Sequence, residues 1–155
     1  MTNLSRKARY ALKSLYALAA DEARGPVLIA DLAERERIPR KFLEAILLEL
    51  KNAGILKSKK GKGGGYALAR PADRIMIGEV IRVIDGPLAP IPCASERAYV
   101  RCEECVDEAT CGTRQVMKKV RDAIAAILDT TTLADVRAQI ARARHSAAAN
   151  VTYSI

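Results

Sequence analysis

The chain has no Trp, a single Phe (Phe42) and five Tyr in 155 residues. Aromatics make up 4% and hydrophobic residues 50%, so the core must be built from Leu, Ile, Val and Ala, the materials of a helical protein. The shortage of rings also removes the paired exposed aromatics on which unstacked RNA bases would sit. The one histidine, His145, lies near a polar helix end and reads as a surface residue. No apolar run approaches the roughly 18 residues of a membrane helix. Residues 1–15 are interrupted by Arg6, Lys7, Arg9 and Lys13 and so lack the apolar stretch of a secretory signal. Together these features point to a cytoplasmic protein with no membrane partner.

Cysteine is missing everywhere except between Cys93 and Cys111, where four residues crowd together. In a reducing cytosol such a cluster suits metal binding or redox sensing better than stapling of the fold. Acidic residues are also in the minority. The formal charge is +8, which favours a polyanionic partner. Between Arg35 and Lys62 nine basic residues face three acidic ones, so +6 of that charge sits in one stretch.

Apolar spacing predicts a first helix, opened by Ser5 and carrying Ala8, Leu12, Leu15, Tyr16 and Ala19, that runs to about Ala23 before Gly25-Pro26 breaks it. Val27-Leu28-Ile29 reads as a small strand. A second helix is expected from Asp31-Leu32 to about Arg37. A third follows from Pro39, at its first position, with Phe42, Leu43, Ile46, Leu47 and Leu50 on the buried side and Gly54 as C-cap. The period then changes to that of strands, Ile55–Lys59 and Tyr66–Ala69, around a basic glycine-rich tip at residues 60–65. Helices followed by such a hairpin give the order of a winged helix-turn-helix. A short helix spans Ile77–Ile84, and residues 85–92 form a Pro-rich linker. From about Thr113 a long helix carries Val116, Val120, Ile124 and Ile127 as an apolar stripe, with Lys118, Lys119, Arg121 and Asp122 facing mostly away. The second half offers little for this stripe to pack on, which favours a two-fold partner. Thr130–Thr132 interrupts the helix, and a last one runs from Leu133 to about Arg144.

The predicted architecture is therefore mainly α with a small β-hairpin wing. It divides into a winged helix-turn-helix DNA-binding domain (1–84), a linker and cysteine-rich sensor loop (85–112), a dimerisation helix and final helix (113–145) and a flexible tail (146–155). In the recognition helix, Arg40 and Lys41 can donate to phosphates or to guanine O6 and N7, and Glu44 can accept from cytosine N4. In the wing, Lys59, Lys60 and Lys62 offer charge, while Gly63 and Gly64 let backbone amides approach phosphate. The glycine run is not closed by Gly-Lys-Ser/Thr before a helix, so it does not fit a nucleotide phosphate loop.

Several segments carry a resemblance: residues 4–12 (Leu-Ser-Arg-Lys-Ala-Arg-Tyr-Ala-Leu), Ile29–Ala33, Pro39–Glu44 and above all Gly61-Lys62-Gly63-Gly64-Gly65-Tyr66-Ala67-Leu68. With Ile77–Ile81, the cysteine loop and Thr131–Val136, the chain up to about His145 resembles the IscR/NsrR/CymR-type (Rrf) family of bacterial winged-helix regulators. That resemblance implies a homodimer joined by a long helix, DNA binding at promoters and often an iron–sulfur cluster in the loop before that helix. By the same analogy Glu44 helps to discriminate sequence.

The cysteines are spaced Cys93-x8-Cys102-x2-Cys105-x5-Cys111. Four thiolates satisfy an iron–sulfur cluster, [2Fe–2S] or [4Fe–4S], or a tetrahedral zinc site. Arg97, Arg101 and Arg114 would stabilise thiolates or an anionic cluster. Cys93, Cys105 and Cys111 resemble the three family ligands, and Cys102 is additional. Relatives' fourth ligand is a His where Arg114 stands, or an Asp where Arg9 stands, so Cys102 or Asp107 would have to serve here. An iron–sulfur cluster is the first reading, a thiol–disulfide switch the second and zinc the third. In the first two the loop would govern affinity for a palindromic duplex-DNA operator; the zinc would be structural. A different class, a CxxC thiol oxidoreductase using Cys102 and Cys105, has against it the lack of any surrounding βαβ pattern.

Overall fold

A computed structural model describes residues 4–152, with side-chain surroundings up to residue 148. Helix α1 spans Arg6–Ala20. The Ser5 hydroxyl caps it by accepting from Ala8 N at 3.0 Å, which satisfies one of the open donors of the first turn. Ser5 N also donates to the Asp85 carboxylate at 3.0 Å, so the cap ties the start of α1 to the end of a later helix. Ala8, Ala11, Leu12, Leu15, Leu18 and Ala19 recur at helical spacing and are buried.

Helix α2 (Ile29–Glu36) begins two residues before the Asp31 expected from sequence. The expected strand at Val27–Ile29 shrinks to a single bridge, in which Val27 and Tyr66 exchange backbone hydrogen bonds of 2.9 and 2.8 Å. Ile29 has already entered the helix, leaving no room for more. Arg37 ends α2 in the left-handed conformation, φ 54° and ψ 47°. The turn is closed by Arg37 N to Glu34 O (3.2 Å) and Ile38 N to Ala33 O (2.9 Å).

Pro39 is the N-cap of α3 (Arg40–Asn52) rather than its first residue, and its carbonyl accepts from Phe42 N and Leu43 N. Leu43, Ile46, Leu47 and Leu50 are fully buried, each contributing roughly 1.5–3 kcal/mol of apolar burial. Phe42, expected beside them, is 39% exposed. Phe42 lies one turn before Ile46 but at the edge of the buried face, in T-shaped contact with Tyr10 at 5.7 Å. The helix ends as expected: Gly54, at φ +74°, follows the last turn, with Gly54 N to Lys51 O and Ile55 N to Leu50 O, both 3.0 Å.

The chain then turns into β1 (Leu56–Lys59), which pairs antiparallel with β2 (Gly65–Leu68) in the register Leu56–Leu68 to Lys59–Gly65. Helix α4 (Ile77–Asp85) buries Ile77, Val80 and Ile81 in the same core. The result is the winged helix-turn-helix that the alternation of periods predicts.

Helix α5 (Gly112–Leu128) has no buried residue. Its inner edge, Ile124, Ala125 and Leu128, leans on the core, while Val116 (54% exposed), Val120 (37%) and Ile127 (65%) face solvent. The second half is thus less isolated than the sequence suggests. Leu133, at the start of α6 (Leu133–Thr152), is fully buried in the winged domain. Leu133 N donates to Ile75 O (3.0 Å), and Ile77 N to Thr131 O (2.9 Å). The expected end of this helix near Arg144 and the expected tail from Ser146 are revised, because α6 continues to Thr152 through an alanine-rich stretch of high helix propensity. Residues 153–155 of that tail lie outside the described residues.

Candidate nucleic-acid interface and cysteine loop

Arg40, Lys41 and Glu44 occupy the first turns of α3 and are exposed. Arg40 Nε pairs with Glu44 Oε1 at 3.2 Å across one helical turn. Both side chains are more than half exposed, so the pair is worth under about 1 kcal/mol and is easily traded for another partner. Lys59, Lys60 and Lys62 are exposed on the wing, which α3 reaches directly through the Gly54 turn.

The glycines of the wing have separate reasons. Gly63 is exposed at φ +72° with open space around it, a backbone that favours glycine. Gly64 is buried, and its N–H is spent on Gly61 O at 2.9 Å. A Cβ there would meet Lys59 O at 2.3 Å, so Gly64 shapes the turn and does not offer a free amide. At Gly65 a Cβ would meet Val27 O at 2.2 Å, which makes this glycine the condition for docking the wing on the α1–α2 connection.

The cysteines are dispersed over the loop that leads to α5. Cys93 is buried in a short 3-10 turn (Pro92–Ala94), and Cys102 is exposed. Cys105 and Cys111 are half-buried. Cys105 N donates to Cys102 O at 3.1 Å, which folds the CxxC pair into a turn. Cys111 is the N-cap of α5, and its Sγ accepts from Arg114 N at 3.5 Å. Among the described residues no three His, Cys, Asp or Glu side chains converge on a point that would hold a metal ion. Four thiols are the right donors for an iron–sulfur cluster, but as folded here they do not form its ligand set. Asp107, the carboxylate alternative, is committed to its own turn, accepting from Thr110 Oγ1 (2.7 Å) and Ala109 N (3.0 Å). The Thr110 bond above all holds its pKa below the usual carboxylate range.

The nearby arginines hold the loop's backbone rather than its sulfurs. Arg114 Nε donates to Cys93 O (3.0 Å), and Arg101 to Cys105 O (3.2 Å). Arg121, expected to face away, has a side chain only 12% exposed. It donates to Ala94 O at 2.5 Å and pairs with Glu96 at 3.2 Å. Arg114 and Arg121 stand two turns apart on α5 and together clasp the backbone of Cys93 and Ala94. Helical spacing gives no hint of this, because the acceptors are carbonyls twenty or more residues away. At the far end of α5, Arg82 of α4 makes a two-pronged pair with Asp129 (2.6 and 2.7 Å). The hydrogen bonds between them lower the Asp129 pKa and raise that of Arg82. Gly78 permits the approach, since a Cβ there would meet Asp129 Oδ1 at 2.1 Å.

Comparison with known proteins gives a consistent result. Residues 4–139 match the family described as Rrf2, iron-dependent transcriptional regulator. An rrf2-like protein of Rhodobacter capsulatus is 42% identical over 139 residues, covering 87% of this chain and 92% of its own. The structure of CymR, the global cysteine regulator of B. subtilis, superposes with a TM-score of 0.74 at 33% identity, over 90% of this chain and 98% of that one. IscR of T. potens follows at a TM-score of 0.71 and 30% identity, over 89% and 88% of the two chains.

Proposed function

Because the chain belongs to the Rrf2 family of DNA-binding transcriptional regulators, we propose that it is a cytoplasmic homodimer whose affinity for a palindromic operator is set by chemistry at the Cys93–Cys111 loop. Its relatives are transcriptional regulators and not enzymes, which sets aside the oxidoreductase reading of Cys102 and Cys105. The observation that carries the proposal is the clasp of Cys93 and Ala94 by Arg114 and Arg121, together with Cys111 as the cap of α5. Any change that moves the loop moves α5 with it.

The exposed Val116, Val120 and Ile127 stripe of α5 is the surface on which a second copy would pack. Pairing there would set the spacing of two recognition helices, which in dimeric helix-turn-helix proteins lie about one DNA turn apart. In each head Arg40, Lys41 and Glu44 read base edges. Lys59, Lys60 and Lys62 take phosphates, with the Gly63 backbone close to the strand.

The iron-dependent description of the family supports an iron–sulfur centre held by the loop's thiols, which would tie operator affinity to iron or redox supply. A specific observation favours the thiol alternative: the Cys102–Cys105 turn, with Cys102 exposed and Cys105 half-exposed. There, two thiols would close a disulfide, passing two electrons and two protons to an oxidant such as hydrogen peroxide, whose O–O bond breaks to give two waters. Anaerobic purification followed by visible absorption and iron and sulfide analysis separates the two chemistries. Cys105→Ala/Cys111→Ala should then abolish the difference in operator affinity between reduced and oxidised protein. An unchanged response in that variant overturns control by the loop.

A further inference from the structure

A concave site lies away from the cysteine loop, between α1, the turn after α2, and α6. It encloses about 720 Å³, within the range of roughly 300–1,000 Å³ common to small-molecule sites. Its floor is apolar, made by half-buried Tyr16, Ala17 and Ile140. Its rim is cationic: five basic side chains face two acidic ones, a net +3.

Most of these bases are already engaged. Arg35 pairs with Asp21 at 2.5 Å and Glu36 at 3.4 Å, Lys13 lies 3.9 Å from the Glu36 carboxylate, and Arg137 holds Glu22 and Ala19 O at 3.1 Å each. Arg37 and Arg144 are different. Neither guanidinium has an ion-pair or hydrogen-bond partner among the described residues, and the same holds for the Tyr16 hydroxyl. Arg37 is also the one described non-glycine residue at positive φ, a backbone held by the closed turn after α2. Along α6, Arg137, Ile140, Ala141 and Arg144 repeat at helical spacing, so a cationic and apolar face lies on the groove.

We infer that this groove binds a small anion with an apolar body, of the aromatic or medium-chain carboxylate class. The ring or chain fills the Tyr16–Ile140 floor, and the anionic head takes Arg37 and Arg144. A DNA strand is the competing polyanion, but its phosphates would meet only the rim and leave the apolar floor empty.

The probe is 1-anilinonaphthalene-8-sulfonate, an aromatic sulfonate followed by fluorescence. Saturable binding is expected, displaced by octanoate and not by octyltrimethylammonium. Arg144→Glu should weaken it by about ten-fold or more, the worth of a hydrogen bond to a charged group, while the same charge reversal at exposed Lys119 on α5, outside the groove, leaves it unchanged. Unaltered binding in Arg144→Glu, or equal displacement by the cationic amphiphile, overturns the inference. So does weaker operator binding by Arg144→Glu with normal probe affinity, since the rim would then serve DNA phosphate. Octanoate should also shift the Ile140 and Ala141 methyl resonances of the unmodified protein, a readout independent of any variant; the absence of those shifts counts against the site.

Discussion

Substitution of Gly65 by Ala tests how the wing is fixed. An alanine Cβ at this position would sit 2.2 Å from Val27 O and 2.4 Å from Val27 C, both backbone atoms that cannot swing aside. Relief requires the Val27–Tyr66 bridge to open, which sacrifices its two hydrogen bonds at about 1 kcal/mol each. The φ of +133° adds strain of about 1–2 kcal/mol for a residue with a side chain. The expected loss is therefore about 3–4 kcal/mol. At Gly63 the φ is also positive but the surroundings are open, so Gly63→Ala should cost only the strain, about 1–2 kcal/mol. Urea unfolding followed by far-ultraviolet circular dichroism, at one fixed protein concentration, measures both. If the two variants lose the same stability, contact with Val27 is not what demands glycine at position 65, and the wing is docked by something else.

Leu133→Ala should cost about 2–5 kcal/mol in the same assay, since the side chain is fully buried, and should free α6 from the winged domain, seen as faster amide exchange in residues 133–141. The Arg82–Asp129 pair should add to stability at neutral pH and lose its contribution on acidification. The Asp129 pKa is lowered in the folded protein, so the effect is complete above the ordinary carboxylate pKa and disappears as pH falls through the lowered value. Asp129 is 42% exposed, which limits the effect to under about 1 kcal/mol; a melting-temperature difference between wild type and Asp129→Asn should be present at pH 7 and absent in strong acid. Replacing Lys60 and Lys62 by Ala should reduce the salt dependence of operator binding by a logarithmic slope of about 1.8, roughly 0.9 for each phosphate that is no longer neutralised. An unchanged slope would remove these lysines from the DNA interface.

Local rules are readable wherever the chain satisfies its own backbone. Ser5 as a cap, Gly54 as a helix end and the switch to strand period after it follow from short-range chemistry, and the structure contains each of them. What cannot be read involves distant partners. Phe42 reads as core because it is apolar, yet its neighbour Leu43 holds the inward position. Arg121 reads as a solvent-facing base because its acceptors, Ala94 O and Glu96, lie on another segment. The last helix reads as shorter than it is because residues 145–148 are exposed and carry no apolar period, although their alanines favour helix. Spacing identifies the four cysteines as a set but says nothing of how far the loop separates their sulfurs.

The backbone bonds of Ile75 and Ile77 to Leu133 and Thr131, set beside the Ser5–Asp85 link, make the cysteine loop and α5 an excursion pinned at both its exit and its return. Such a segment is modular. Because the closure cost of a loop rises by only about 0.6 kcal/mol for each doubling of length, this segment can lengthen, shorten or exchange its cysteines while the winged domain stays sewn shut beneath it. Exchanging the segment between Asp85 and Cys111 for a longer or shorter one, with α5 kept, should therefore leave the stability of the winged domain nearly unchanged.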